Sequence, residues 1–185
     1  MRPKILLCED EENVADNLAD KLSTEYGVTV ARTYADSTAI LRVNRGQEAT
    51  DEHFSVVIID LSFETTSGAV GIEGLSILEE AIKDPFIEPI IFTGTGTEVK
   101  ANEASKRGAF RFIRKGSPAD NKESVGILLE SVRTAIECRN SMIAIDTCIK
   151  RIRTEHPDDH KILTHLMTVF EHLQRIRGRR KPGMS

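Results

Sequence analysis

The stretch FSVVIID, residues 54–60, decides the fold. It is an apolar, largely β-branched run that ends in a carboxylate, Asp60. A continuous apolar run of this length is typical of a strand covered on both faces, as in a parallel sheet with helices on each side. In such sheets ligands lie beyond the carboxyl ends of the strands. We therefore expect Asp60 at a ligand-binding edge and not inside the core.

Strand and helix patterns alternate along the chain on either side of this stretch. Further strands are predicted at residues 4–8, 28–31, 89–93 and 109–115, and helices at 13–26, from Asp36 or Ser37 onward, at 74–82, 97–107 and 124–138. Thr95 and Glu98 have the spacing of a capping box. Strict alternation predicts an α/β fold, a doubly wound five-stranded parallel sheet with helices on both faces.

The remainder of the chain has helical spacing only. Two amphipathic helices, 141–153 and 158–176, are separated by Pro157 and predict a helical hairpin. We divide the chain into a first domain at 1–139, a hairpin extension at 140–178 and a basic, flexible tail at 179–185. Two amphipathic helices cannot bury their apolar faces alone, so we expect them to pack on the first domain or on another copy, giving a homodimer.

Composition places the chain among ordinary globular proteins. It has 185 residues, of which 39% are hydrophobic and 29% are charged. No segment approaches the roughly 20 apolar residues that span a bilayer, so no membrane association is expected. Acidic residues follow the first short apolar run of the chain, which is too short for a secretion signal. Three dispersed cysteines without a CxxC pair favour reduced thiols and a cytoplasmic protein.

Polar side chains follow four of the five predicted strands. Glu9 and Asp10 follow the first strand, Asp60 ends the third, Thr93 ends the fourth and Lys115 ends the fifth. Three converging carboxylates repel one another unless a cation is present. Mg²⁺ prefers oxygen ligands of this kind and commonly shares them with a phosphate. The sequence therefore predicts a magnesium site at this edge.

The same five side chains suit phosphoryl transfer. A carboxylate can attack phosphorus and form an aspartyl phosphate. The transferring group is anionic and needs charge and hydrogen-bond donors around it. Lys115 and Thr93 supply a charge and a hydroxyl.

Residues 3–138 resemble a response-regulator receiver domain, the phospho-accepting module of two-component signalling, with a flavodoxin-like fold. The resemblance rests on Glu9 and Asp10, Asp60, Thr93 and Lys115. It implies phosphorylation of Asp60 by a histidine kinase or phosphotransfer protein. It also implies that Mg²⁺ is bound directly by Asp10, Asp60 and the backbone carbonyl of Ser62, and through water by Glu9. The only reactions implied are the domain's own phosphorylation and dephosphorylation, so we do not class the protein as an enzyme.

The resemblance also assigns a switch. Thr93 would move towards the phosphoryl group and Phe112 would turn inward with it, changing a surface for protein interaction or dimerisation. The positions that tune hydrolysis are Ser62 and Thr95, two residues beyond the acceptor and two beyond the threonine. Both are small, which predicts ready access of water and unhindered autodephosphorylation.

The sequence departs from the family pattern in three places, one of which is that Phe112 lacks the hydroxyl of the common tyrosine. Gly116 replaces the usual proline after the lysine, which predicts a trans peptide there. The loop at 61–73 is also long, since the usual acid–glycine pair stands at Glu73 and Gly74, 13 and 14 residues after Asp60. This loop lies beside the acceptor, where it would contact a partner or shade the site.

Alternative functions remain open at this stage. A degenerate receiver could act as a non-phosphorylated scaffold. A transcription regulator could contact DNA through a basic run that contains Arg175, Arg177, Arg179, Arg180 and Lys181. This run also suits a solvated helix end, whose negative dipole favours cations. A phosphatase of the same topology would need a second acid at the position of Ser62.

Overall fold

A computed structural model describes residues 2–46, 52–62, 72–95, 97–116, 121–156 and 160–176. Strands and helices alternate from the first strand to the long helix that follows the fifth. The elements are β1 (Lys4–Cys8), α1 (Glu12–Ser23), β2 (Gly27–Ala31), α2 (Tyr34–Arg45), β3 (Phe54–Ile59), α3 (Ile72–Ala81), β4 (Glu88–Thr93), α4 (Glu98–Lys106), β5 (Arg111–Arg114), α5 (Asn121–Glu155) and α6 (His160–Ile176). Within the described residues, no helix has the length and apolar character needed to cross a bilayer.

The five strands form one parallel sheet in the order β2-β1-β3-β4-β5. The predicted doubly wound parallel sheet is therefore confirmed. Strand order reverses between β1 and β3, because the chain first adds β2 on one side and then returns to the other. The carboxyl ends of these two strands border the crevice where ligands bind in such sheets. Residues 9, 10 and 60 follow these two ends.

Alternate residues of β3 belong to different cores, as a doubly covered strand requires. Val56 and Ile58 pack in a cluster with residues of α1 and α5. Val57 and Ile59 pack in a second cluster with residues of α2 and α3. All four side chains are at most 1% exposed. The continuous apolar run is thus explained by burial on both faces of the sheet.

Two helix starts differ from the sequence predictions. Helix α2 is capped by Thr33, whose side chain accepts a hydrogen bond from the backbone nitrogen of Asp36, and not by Asp36 or Ser37. Helix α4 is capped by Thr97, which accepts from Lys100, and not by Thr95. Several threonines and acids in each stretch could cap a helix, and only the path of the chain into the helix selects one of them.

Helix α5 is longer than predicted. It runs without a break through 35 residues, where the sequence analysis had separated a helix ending at 138 from another starting at 141. No glycine or proline occurs between Gly126 and Pro157, so nothing in the backbone chemistry interrupts the helix. The domain boundary at 139 and 140 stays a prediction, and it falls within a continuous helix. The tail at 179–185 lies outside the described residues.

Polar side chains hold together the edge of the sheet opposite the strand carboxyl ends. Asn44 at the end of α2, His53 before β3 and Asp84 after α3 are each at most 3% exposed. His53 Nε2 lies 2.9 Å from Asp84 Oδ2, and Asn44 Nδ2 donates to the same oxygen at 3.2 Å. Asn44 Oδ1 accepts from the backbone nitrogen of Phe54 at 2.8 Å. These bonds join two helices to the start of β3.

Candidate functional site

Backbone hydrogen bonds fix the residues that follow the strands. Glu9 N donates to Ala31 O at 3.1 Å, and Asp60 N donates to Cys8 O at 3.0 Å. Lys115 N donates to Thr93 O at 2.8 Å. The ladder of the sheet therefore continues one residue beyond the strands, and the side chains it positions are those selected from the sequence.

Lys115 connects the third strand to the first through its side chain. Its ammonium Nζ lies 2.8 Å from Asp60 Oδ2 and 2.7 Å from Glu9 Oε2. Both carboxylates are buried and Lys115 is only 16% exposed at its side chain. The ring of Phe92 lies beneath the ammonium, with its centroid 5.8 Å from Nζ. The lysine is thus positioned by two acids and an aromatic face.

Three carboxylates of the site can meet on a single cation. Oxygen atoms of Glu9, Asp10 and Asp60 lie within 4.8 Å of one another. Glu9 is 1% exposed, and its Oε1 has no hydrogen-bond partner among the described atoms. A buried carboxylate oxygen without a donor is costly. An all-oxygen acidic set with an unsatisfied buried oxygen fits a hard divalent cation such as Mg²⁺.

The pKa values of the two buried acids, Glu9 and Asp60, are shifted in opposite directions. Burial raises the pKa of Glu9 to about 7, and the negative charges of Asp60 and Asp10 add to this against the opposing effect of Lys115. Burial also acts to raise the pKa of Asp60, but the Lys115 charge and hydrogen bonds from Lys115, Thr93 and Ser62 lower it overall. The pKa of Lys115 is raised, because the two acids outweigh its burial. Asp60 is therefore kept ionised, as a nucleophile requires.

Hydroxyl groups surround the free side of the Asp60 carboxylate. The backbone nitrogen of Ser62 donates to Asp60 Oδ1 at 3.0 Å. Ser62 Oγ lies 2.9 Å from Thr95 Oγ1 and 3.4 Å from Thr93 Oγ1, and the two threonine hydroxyls are 3.3 Å apart. Thr95, which the sequence analysis had also assigned to a helix cap, contributes its hydroxyl to this group instead.

The aromatic residue of the predicted switch lies on β5. Phe112 is half-buried and packs against the cluster of residues beneath α2, α3 and α4. The peptide between Lys115 and Gly116 is not cis, and Gly116 N donates to Ser124 Oγ at 3.2 Å near the start of α5. Most of the loop at 61–73 lies outside the described residues.

Two contributors to the site were missed by the sequence analysis. Phe92 was interpreted only as a strand residue, although its ring lies under Lys115. Gly74 at the start of α3 lies so close to Asp60 that an added Cβ would be 2.6 Å from its carbonyl oxygen. No local signal indicated the position of the Phe92 ring, whereas the acid–glycine pair included Gly74 without indicating its contact with Asp60.

Comparison with known proteins agrees with this geometry. The family model of the response regulator receiver domain matches residues 5–125. The chain belongs to this family. A putative NtrX-like response regulator from Rickettsia typhi is 32% identical to this receiver protein over 126 residues, which make up 67% of the chain and 24% of the relative. The chain thus spans about a quarter of the length of the curated relatives it matches.

Solved structures show the same fold. A response regulator receiver domain from Clostridium thermocellum is 27% identical, with a TM-score of 0.57, and the match covers 76% of this receiver protein and 98% of that chain. A response regulator from Burkholderia pseudomallei is 19% identical, with a TM-score of 0.54, over 90% of this chain and 92% of that one. The second protein is described with a phosphorylated aspartic acid, a calcium ion and citrate. At that identity the likeness shows the fold alone.

Proposed function

We propose that Asp60 accepts a phosphoryl group from a phosphohistidine on a histidine kinase or phosphotransfer protein, in a two-component pathway. The observation that carries this proposal is the contact of Lys115 Nζ with Asp60 Oδ2 at 2.8 Å, beside a cluster of three carboxylates. An ionised acid, a cation and a hydroxyl group converge on one small volume. Such an arrangement suits transfer of a phosphoryl group, which carries negative charge throughout.

The transfer exchanges one bond to phosphorus for another. A carboxylate oxygen of Asp60 attacks phosphorus and forms the P–O bond, while the P–N bond breaks and its electron pair returns to the donor imidazole. The Lys115 ammonium neutralises charge on the phosphoryl oxygens, and the Thr93 hydroxyl donates to one of them. Bound Mg²⁺, held by Glu9, Asp10, Asp60 and the Ser62 carbonyl, would supply further positive charge. Hydrolysis of the aspartyl phosphate would return the domain to its first state.

Phosphorylation would be transmitted by residues that contact the site. The hydroxyl of Thr93 lies 3.3 Å from the hydroxyl of Thr95, which precedes α4. The carbonyl oxygen of Thr93 accepts a hydrogen bond from the backbone nitrogen of Lys115, which follows β5. Movement of Thr93 towards the phosphoryl group would therefore alter the surface of α4 and β5, together with Phe112. This surface is the proposed protein-interaction site of a cytoplasmic signalling protein. The only reactions proposed are the phosphorylation and dephosphorylation of the domain itself.

Two other functions are distinguished by the same experiment series. A scaffold that is never phosphorylated would keep this geometry without the reaction. A DNA-binding regulator would use the basic run from Arg175, whose residues beyond 176 lie outside the described part of the chain. A gel shift that disappears with salt would support the second.

The test is direct phosphorylation of the chain. With acetyl phosphate and Mg²⁺, intact mass spectrometry should show one added phosphoryl group, and Asp60→Asn should abolish it. Asp16→Asn is the matched control, because Asp16 is an exposed acid of α1 that pairs with Arg32. We expect this variant to be labelled like the wild type. Absence of labelling in the wild type, together with no spectral response to beryllofluoride, would favour the scaffold.

A further inference from the structure

Helix α6 carries more apolar surface than α5 covers. With 100° between successive residues, its apolar side chains span an arc of about 160°. On one side of the arc Leu163 is only 8% exposed and Phe170 is half-buried, in a helix whose extensive packing is against α5. On the other side Ile162 is 49% exposed and Val169 is 53% exposed. At the border beyond Leu163, Met167 is 41% exposed, and its sulfur lies 3.2 Å from the Arg153 guanidinium of α5. The side of the arc that carries Ile162 and Val169 is therefore the more open one.

The open side has the spacing of a helix-pairing seam. Its residues are Ile162, Leu166, Val169 and Leu173, which we call the α6 seam; the second and fourth are half-buried at its inner border. Their separations of four, three and four residues are those of alternating a and d positions in a heptad. This spacing fits side chains of a facing α-helix. A strand or a flat surface would not match its periodicity.

We infer that the α6 seam pairs with the α6 seam of a second copy, in an antiparallel arrangement about a two-fold axis. The spacing four, three, four is the same in both directions along the helix. A two-fold axis through the centre of the seam therefore places Ile162 opposite Leu173 of the second copy, and Leu166 opposite Val169. All four side chains find apolar partners at once, as an isologous interface requires.

The position of α6 makes the seam accessible to a second copy. The first half of α5 packs on the sheet through residues that include Leu128 and Val132, whereas its second half packs on α6. In that second half Met142 and Ile149 are buried. Two hairpins joined through their seams would form a four-helix arrangement, which covers the faces that a two-helix hairpin leaves exposed. This inference does not depend on phosphorylation of Asp60.

The small size of the seam sets the expected strength. Four partly exposed apolar side chains give an interface well below the roughly 1,200 Å² of total area that stable complexes bury. We therefore expect a reversible dimer whose population rises over about 1 to 200 µM, and not a permanent one.

The first test is the mass of the full chain in solution, measured by sedimentation across this concentration range. The wild type should approach twice the monomer mass, and Val169→Glu should stay monomeric. Val43→Glu is the matched control, because Val43 is a valine of α2 that is 64% exposed and far along the chain from α6. It should behave like the wild type. Circular dichroism of each variant checks that the helices are retained.

Each outcome of this test either supports or overturns the inferred dimer. A wild type that stays monomeric at the highest concentration would overturn the inference and assign the seam to a different partner. The same follows if Val169→Glu dimerises like the wild type, or if Val43→Glu abolishes dimers equally.

Cysteine cross-linking tests the orientation, in a background where Cys138 and Cys148 are replaced by serine. In the antiparallel dimer, Ile162→Cys protein should form disulfides with Leu173→Cys protein when the two are mixed. Ile162→Cys alone should not, because its two copies would be about 16 Å apart along the helix, beyond disulfide reach. Self-linking of Ile162→Cys would indicate parallel helices and would overturn the proposed arrangement.

Discussion

Gly74 gives the sharpest test of how the acceptor strand is held. A Cβ at this position would lie 2.6 Å from Asp60 O and 2.7 Å from Leu61 Cα. Both are backbone atoms at the end of β3, so neither can rotate away as a flexible side chain would. Gly74→Ala must therefore push α3 away from the sheet or displace the acceptor itself.

The expected cost follows from these contacts. Overpacking of a well-packed interior costs about 1–3 kcal/mol, and clashes with two backbone atoms favour the upper part of that range. Alanine recovers part of this through its better helix propensity, by up to about 1 kcal/mol. We expect a net loss near 2 kcal/mol, which for a chain of this size lowers Tm by about 4–8 °C.

The assay is urea or thermal unfolding followed by circular dichroism, with Gly126→Ala as the matched control. Gly126 is also helical, but its added Cβ meets nothing within 4 Å. That variant should gain stability, by about 0.5–1 kcal/mol. Either movement changes the surroundings of Asp60, so phosphorylation by acetyl phosphate should also slow in Gly74→Ala and not in the control. Equal stability of Gly74→Ala and the wild type would refute the close approach of α3 to the acceptor.

Three further predictions concern the site and the thiols. The pKa of Glu9 is raised to about 7 from an ordinary 4.5, so the folded state binds more protons than the unfolded state between these pH values. In EDTA, the free energy of unfolding should therefore fall as pH rises through this window, and Glu9→Gln should remove that dependence on pH. The small side chains of Ser62 and Thr95 are predicted to give water access to the acceptor. On this prediction the phosphorylated chain should lose its label well within a day at neutral pH, and a lifetime of days would contradict it. Burial raises the pKa of the Cys8 thiol to about 12, whereas Cys148 is exposed. A thiol reagent should therefore label Cys148 first. Labelling of Cys8 before the protein unfolds would contradict its burial.

Much of the fold was predictable because its signals are local. The apolar run at 54–60 requires cover on both faces, and alternation of strands and helices then requires parallel crossovers. The extent of α5 was less predictable, because a change from one apolar face to another resembles a helix end. Only the buried residues show that one helix packs first on the sheet and then on α6.

Some features of the candidate site could likewise be predicted from the sequence, and others could not. The polar residue types at the strand ends could be predicted, since parallel strands deliver their carboxyl ends to one edge. The contribution of Phe92 could not, because a ring in a strand has many possible neighbours. The same holds for Thr95, whose spacing to Glu98 equally suits a helix cap.

The sequence by itself determined which side chains stand at the strand ends and therefore the chemistry available there, since periodicity and residue type act over short distances along the chain. Only the tertiary structure decided that Lys115 reaches both Glu9 and Asp60, that a glycine of α3 lies against the acceptor, and that one side of α6 stays open. These outcomes depend on contacts between residues far apart in sequence, where packing selects among many locally equivalent choices.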